Sequence, residues 1–239
     1  MKFNEGECYI LNLRTLLLKT ALLSVVLLIT SSVSAERVAR IMYYGASKAA
    51  PKTAFVYDQS GASQAVELNR HHFSDSFEIP SGDIVLQFIS KELSEDQLMP
   101  ETAPRLKIPK EWKKVLIMVS EDRENTVFPI SLNSSDASDD VFGPGELLFI
   151  NFSDIAIFGM VGDKKLVLKP QATVVISNPA SKKEDYYVQL DSVESTIETR
   201  RWFLRQRWRH QPEQRYVAFV IPMPKPRVVK IYATPIRNF

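Results

Sequence analysis

The chain has 239 residues, of which 45% are hydrophobic and 24% charged, with 30 basic against 28 acidic side chains and a net charge of +2. A chain so close to neutral is not drawn as a whole to nucleic acid or to a membrane surface, so electrostatic binding must come from a local cluster of charge. The single cysteine, Cys8, excludes a disulfide framework and a thiolate metal site.

The first 35 residues have the features of a signal peptide. Arg14 and Lys19 precede the apolar run Ala21–Ile29, and residues 33–35, Val-Ser-Ala, are typical of a cleavage site. The run is about half as long as the ~20 residues that a membrane-spanning helix needs, and no later segment is apolar enough to span a bilayer. We therefore predict cleavage between Ala35 and Glu36 and a secreted or periplasmic protein. The absence of cysteine from the exported part favours a bacterial source.

Short apolar segments bounded by turn residues make up the rest of the chain. They are rich in β-branched and aromatic residues and too short for ordinary helices, which is typical of strands joined by tight turns. Gly, Pro and Ser cluster between them, as at 80–82 and 143–145. The predicted strands are Val38–Gly45, Thr53–Tyr57, Ala65–Leu68, Phe73–Ile79, Ile84–Ile89, Lys113–Val119, Thr126–Leu132, Leu147–Phe152, Ile155–Val161, Leu166–Leu168, Val174–Ile176, Arg215–Ile221 and Val228–Ala233.

The second half of this pattern resembles the first. Val115 aligns with Val217 near the end of each half, and Phe77–Pro80 aligns with Leu166–Pro170 upstream. About seven strands in a unit of roughly 95 residues, with turns at regular spacing, are typical of an immunoglobulin-like sandwich. The sequence therefore predicts an all-β protein with two tandem immunoglobulin-like β-sandwich units.

The predicted boundary between the two units is the linker 134–145. The sequence Asn133–Gly145 is polar, small and acidic before it ends in Gly-Pro-Gly, so we expect a solvated hinge. The units are then 36–133 and 146–239. In this respect the chain resembles secreted bacterial proteins built from tandem immunoglobulin-like modules. The cysteine pair of antibody domains is absent, and no motif carries a function across from a characterised family.

Each unit has a long segment before its last pair of strands. Lys91–Glu111 is acidic, with three prolines that prevent a long helix, whereas Glu198–Arg215 is basic and aromatic. If residues 200–210 are extended, their side chains alternate between two faces. One face holds Arg201, Phe203, Arg205, Arg207 and Arg209, and the other holds Trp202, Leu204, Gln206, Trp208 and His210.

This basic segment is the candidate binding site. Guanidinium groups at two-residue spacing suit phosphate, sulfate or carboxylate groups along a polymer, and tryptophan faces suit sugar rings. The predicted partner is an anionic envelope polysaccharide or lipid, or an envelope protein, and not nucleic acid. Alternatively, the tryptophans cover the sheet and the arginines pair with nearby acids. The candidate binding residues are Arg201, Trp202, Arg205, Arg207, Trp208 and Arg209.

No catalytic residue, metal site or cofactor is predicted. His71 and His72 are adjacent, so on a strand they face opposite sides and cannot chelate one ion together. The sequence lacks the serine-hydrolase, zinc-protease and phosphate-loop motifs. We therefore predict a non-enzymatic exported scaffold or binding module. Two alternatives remain open: an assembly protein whose acidic and basic insertions dock with each other or with partner chains, and a hydrolase with paired carboxylates.

Overall fold

The computed structural model describes residues 37–44, 50–94, 96–193, 200–223, 229–236 and 239, and the side chains of Val193, Arg200 and Arg201 lie outside the description. The predicted signal peptide and its cleavage site also lie outside the described residues. Within them, 16 strands form four four-stranded sheets and no helix is present, which confirms the all-β class. Accordingly, the described residues include no helix that could cross a bilayer.

The first eight strands form two sheets. Sheet A has the order β4-β1-β7-β8 and sheet B the order β3-β2-β5-β6. β1 and β7 run parallel, and every other pair in these sheets is antiparallel. The strands are β1 (Val38–Tyr43), β2 (Thr53–Tyr57), β3 (Ser63–Glu67), β4 (Phe77–Glu78), β5 (Ile84–Ile89), β6 (Arg105–Ile108), β7 (Lys114–Glu121) and β8 (Ile130–Asp136).

The second eight strands form sheet C, β12-β9-β15-β16, and sheet D, β11-β10-β13-β14. These orders are those of sheets A and B with every strand number raised by eight. The one parallel pair, β9 with β15, also stands in the same place. The strands are β9 (Leu147–Asn151), β10 (Ala156–Val161), β11 (Lys164–Leu168), β12 (Thr173–Ile176), β13 (Asp185–Val193), β14 (Arg200–Arg209), β15 (Arg215–Pro222) and β16 (Val229–Ile236).

Apolar layers fill the space between the two sheets of each half. Between sheets A and B the layer includes Ile117 and Phe88, and between sheets C and D it includes Phe149 and Leu190. All four side chains are fully buried. Each half is therefore a pair of sheets packed face to face, with alternate residues of each strand turned inward.

A third apolar layer joins sheet A to sheet C. Met42 and Met118 of sheet A pack in one cluster with Leu148 and Phe219 of sheet C. The four sheets thus stack in the order B, A, C, D, and sheets A and C are covered on both faces. This explains why β1, β7, β9 and β15 are nearly continuous apolar runs, as strands buried on both faces require.

The connector between the halves is not the solvated hinge that the sequence predicted. β8 extends to Asp136, so it enters the predicted linker and lies four residues beyond the predicted strand Thr126–Leu132. Ala137 and Phe142 in the connector are fully buried. The guanidinium of Arg215 donates to the carbonyl oxygens of both, at 2.8 Å each. The polar composition of the segment gave no sign that the side chains of Ala137 and Phe142 would be buried and fix it in place.

The predicted upstream alignment of the two halves was also wrong. In the strand orders, β4 occupies the place of β12, yet the sequence pattern matches Phe77–Pro80 to Leu166–Pro170, which begins on β11. Strand β6 was missed because it lies in the proline-containing segment Lys91–Glu111 and has only four residues.

Candidate functional site on the outer face of sheet D

The arginine-rich segment forms an edge strand. β14 pairs with β13 from Arg200 to Arg209, interrupted only at Phe203, and has no second neighbour among the described strands. On β13, Tyr186 and Leu190 are buried, whereas Tyr187 is 53% exposed. Because successive side chains of a strand point to opposite faces, Tyr187 marks the outer face of sheet D, the face turned away from sheet C.

A β-bulge at Phe203 decides which face the first tryptophan occupies. Leu204 lies opposite Leu190 but Trp202 lies opposite Asp191, so Phe203 has no partner across the ladder. One extra residue moves everything beyond it to the other face of the strand. Trp202 therefore shares the outer face with the arginines and is 57% exposed. The predicted separation of Trp202 from the arginines was wrong.

The same bulge removes Phe203 from the predicted arginine face. Phe203 is half-buried and packs against the core between sheets C and D. Arg201 lies opposite the buried residue Ser192 in the register. Its side chain is outside the description, so the role of Arg201 in binding stays a prediction. The outer face of β14 is thus formed by Trp202, Arg205, Arg207 and Arg209.

Each of the three arginines is oriented by a neighbour on the same face. The guanidinium carbon of Arg205 lies 5.4 Å from the centre of the Trp202 ring, and that of Arg207 lies 4.9 Å from the Tyr187 ring. Arg207 also donates a hydrogen bond of 2.5 Å to the Tyr187 hydroxyl oxygen, which raises the pKa of Arg207. Arg209 lies 3.3 Å from an Asp185 carboxylate oxygen. These contacts limit side-chain freedom before any ligand arrives.

The rest of the face is apolar with a further cation. Lys165 and Met160 are opposite each other on β11 and β10, and Val167 lies two residues beyond Lys165. Met160 is 41% exposed and Val167 47%. The described residues contain six exposed large hydrophobic side chains, and four of them lie on this face: Met160, Val167, Tyr187 and Trp202. An exposed apolar patch bordered by charge is typical of an interaction surface.

Sheet B, which holds the corresponding place in the first half, is covered instead. The segment that follows β5 folds over its outer face, where Leu93 and Met99 pack with Phe55, Tyr57 and Ile89. No described segment covers sheet D in this way. The open face is therefore a feature that distinguishes the second half from the first.

Trp208 lies on the opposite side of β14, as the alternation predicts. It is half-buried, and its ring lies nearly parallel to that of the buried Phe149, with centres 6.3 Å apart. His210 at the end of the strand is also buried. The predicted binding set is thus split, because Trp208 points toward the core and lines a cavity of about 240 Å³ at the edge of the two sheets.

Sequence reasoning missed the aromatic and aliphatic part of the face. Tyr187 on β13 lies across the ladder from Arg207, and Met160 on β10 lies one strand further away, opposite Gln189. The alternation in residues 185–190 could have identified Tyr187 as an outward residue. Met160 and Val167 could not have been assigned to the arginine face without the strand order.

The outer face is basic. Lys165, Arg205, Arg207 and Arg209 lie on it, against the acids Asp185 and Asp191, and Asp191 is buried. The acidic insertion lies elsewhere, because its residues Leu93 and Met99 pack on the outer side of sheet B, at the far end of the stack. In the part of the chain that is described, no three His, Cys, Asp or Glu side chains are grouped so that they could hold a metal ion.

Comparison with known proteins gives no family. No protein-family model matches the chain, and no curated protein matches it. Among solved structures, the chain is similar to a protein from Bacteroides uniformis that is described as a putative cell adhesion protein. The identity is 9% and the TM-score 0.25, over 85% of this chain and 99% of the other. So low a TM-score carries no argument about function.

Proposed function

We propose that the protein is an exported, non-enzymatic module of two tandem immunoglobulin-like sandwiches that binds anionic polymers of the cell envelope or extracellular space through the outer face of sheet D. The tandem arrangement is supported by the strand order, which recurs with an offset of eight. The two parallel pairs, β1 with β7 and β9 with β15, support the same reading.

One observation carries the binding proposal: an uncovered sheet face on which three arginines alternate along an edge strand, each held by a neighbour on that face. Side chains at i and i+2 on a strand are about 6.7 Å apart, so Arg205, Arg207 and Arg209 present a row of charges about 13 Å long. A row of this kind fits successive acidic groups of a chain better than a single small anion. Trp202 and Tyr187 add exposed aromatic surface beside the arginines, against which sugar rings can pack.

Retention on immobilised heparin tests the proposal. Replacing Arg205 and Arg207 by Ser should lower the salt concentration that elutes the protein. By the counterion-release argument, each lost contact reduces the slope of log K against log salt by about one. The matched control is Arg105→Ser with Lys107→Ser, because these exposed cations stand two residues apart on β6, the corresponding edge strand of sheet B.

Equal loss of retention in both double variants would show a nonspecific charge effect and refute the assignment to sheet D. A parallel column of immobilised lipopolysaccharide separates the two sources of anion. Retention on that column alone would make the ligand an acidic lipid headgroup region and not a polysaccharide.

A second candidate function, assembly of chains with one another, is favoured by the position of Leu98. This side chain is 91% exposed in the acidic insertion, near the exposed acids Asp96 and Glu101. Because sheets B and D lie at opposite ends of the stack, the insertion cannot reach the basic face of its own chain, but it can reach that of another. Repetition of such a contact would build an open chain of copies.

Sedimentation of two variants tests assembly. Leu98→Asp disables one end of the molecule, and Arg205→Glu with Arg207→Glu disables the other. If copies assemble head to tail, each variant alone is a monomer and their mixture forms a dimer that grows no further. A wild-type protein that stays monomeric at all concentrations in low salt would exclude this function.

A further inference from the structure

A cavity at the end of β14 lies beside the proposed binding face but opens at the seam of the second sandwich. It has a volume of about 240 Å³ and is lined by Tyr186, Trp208, Arg209, Tyr216 and Ala233. These residues come from β13, β14, β15 and β16, so the cavity is formed where the edge strand of sheet D passes the edge strand of sheet C. Neither the binding proposal nor the core packing accounts for it.

The lining combines three aromatic rings with one cation. Trp208 is held nearly parallel to Phe149, which is buried, so the plane of the indole is fixed. The Tyr216 hydroxyl donates to the Gln214 side-chain oxygen at 3.0 Å. Burial, and then the nearby Tyr216, raise the pKa of Tyr186. The Tyr186 phenol therefore stays neutral at physiological pH and keeps a proton with which to hydrogen bond.

Among the described residues that line the cavity, Arg209 is the only charged one. Its partner Asp185 stands 3.3 Å away, but the two side chains are 59% and 50% exposed, so the pair is weak. A carboxylate that enters the cavity can form a bidentate contact with the same guanidinium, which is the stronger geometry. The ligand that this lining suits is therefore acidic, with a flat apolar surface for the indole and hydroxyl groups for the phenols.

We propose that this cavity binds one pyranose ring that carries a carboxylate, such as a uronic acid residue, either free or as part of an acidic polysaccharide held on the outer face of sheet D. Binding of the ring as part of a polysaccharide rests on the proposed function. The size agrees, because 240 Å³ lies below the ~300–1,000 Å³ of pockets for drug-sized ligands, which suits a single ring. Arg209 lies on both surfaces and links the cavity to the row of arginines.

Tryptophan fluorescence provides the test. The chain has three tryptophans, and the variant Trp202→Phe removes the one on the outer face, which leaves Trp208 as the reporter in the cavity and Trp112 far from it. Titration with glucuronate should change the emission, and glucose, which lacks the carboxylate, should bind at least tenfold more weakly. Equal binding of the two sugars would overturn the role of Arg209.

Four further variants in this background sharpen the test. Arg209→Gln should weaken glucuronate binding about tenfold, and Ala233→Leu should abolish it by filling the cavity while keeping the arginine. Asp185→Asn should strengthen binding severalfold, because it removes the competing carboxylate. Arg105→Gln, an exposed arginine on the corresponding edge strand of sheet B, is the control and should have no effect.

The failure of this proposal differs from the failure of the proposed function. If glucuronate leaves the fluorescence unchanged while retention on heparin still requires Arg205 and Arg207, the cavity assignment is wrong and the outer face still binds the polymer. If glucuronate binds and depends on Arg209 and Ala233 while heparin is not retained, the cavity assignment holds and the polymer-binding function is wrong.

Discussion

Replacement of Arg215 by Met should destabilise the protein much more than loss of the acid that it pairs with. The side chain of Arg215 is 6% exposed, and its guanidinium donates to the carbonyl oxygens of Ala137 and Phe142 and to Asp139. Met keeps most of the apolar stem but none of the donors. Two buried carbonyl groups are then left without a partner, at about 1–3 kcal/mol each.

Arg215→Met should therefore lower the free energy of unfolding by about 3 kcal/mol. This is in the lower part of the range for two carbonyl groups, because water reaches part of the connector. For a chain of this size, 1 kcal/mol corresponds to about 2–4 °C in Tm, so the melting temperature should fall by about 6–12 °C. Asp139→Ala is the matched variant. The Asp139 side chain is 64% exposed, and its ion pairs with Arg215 and Lys114 should contribute less than about 1 kcal/mol.

Urea unfolding followed by circular dichroism measures both free energies. The reasoning is refuted if Arg215→Met costs no more than Asp139→Ala, because the carbonyl contacts would then contribute nothing. A third variant, Arg215→Lys, keeps the charge but has only one nitrogen to place. It should fall between the other two, since Nη1 of Arg215 donates to both carbonyl oxygens while Nη2 donates to Asp139, and one ammonium nitrogen cannot stand in both places.

Two further predictions concern a turn and the response to acid. Gly162, between β10 and β11, has φ +62° and a Cβ there would stand 2.1 Å from the Pro179 carbonyl oxygen, so Gly162→Ala should cost roughly 2–4 kcal/mol of unfolding free energy. Gly61→Ala, with φ +86° and open space around it, should cost only about 1–2 kcal/mol; equal urea midpoints for the two variants would contradict the crowding at Pro179. Hydrogen bonds from Lys114 and then Arg215 lower the pKa of Asp139. A carboxyl group with a lowered pKa stabilises the folded protein above its unfolded-state pKa of about 3.9, and this stability is lost as the pH falls through its folded-state pKa. Asp139→Asn should therefore be less stable than the wild type at pH 7 and nearly equal to it near pH 2, and a difference that does not change with pH would exclude this linkage.

The sequence was sufficient to predict the strands that are bounded by strong turn residues. β2 and β5 have the predicted ends, and β9 and β10 differ from the prediction by one residue. In these segments the apolar runs stop at a turn residue, namely Asp58, Ser90, Ser153 and Gly162, so local chemistry sets the boundary. The predicted position of β8 was wrong because its second half, 133–136, is polar. β8 is an edge strand, with a neighbouring strand on one side only.

The candidate site depended on features that a linear pattern does not contain. The bulge at Phe203 reverses the face of Trp202, and it arises from the pairing of two strands, not from a local preference. The neighbours Met160 and Val167 come from strands about 40 residues away. The sequence did identify the segment by its composition. A run of arginines and tryptophans in a nearly neutral chain is a local excess of positive charge and aromatic rings in any fold.

The third apolar layer has a consequence for how the molecule comes apart. Because Met118 and Phe219 are as deeply buried as the residues inside either half, separating the halves would expose the facing sides of sheets A and C to water. If one half unfolded, the half that stayed folded would therefore lose the apolar contacts of this third layer. We expect calorimetry to show one cooperative transition for the whole chain. A destabilising substitution between sheets A and C should lower the stability of both halves equally.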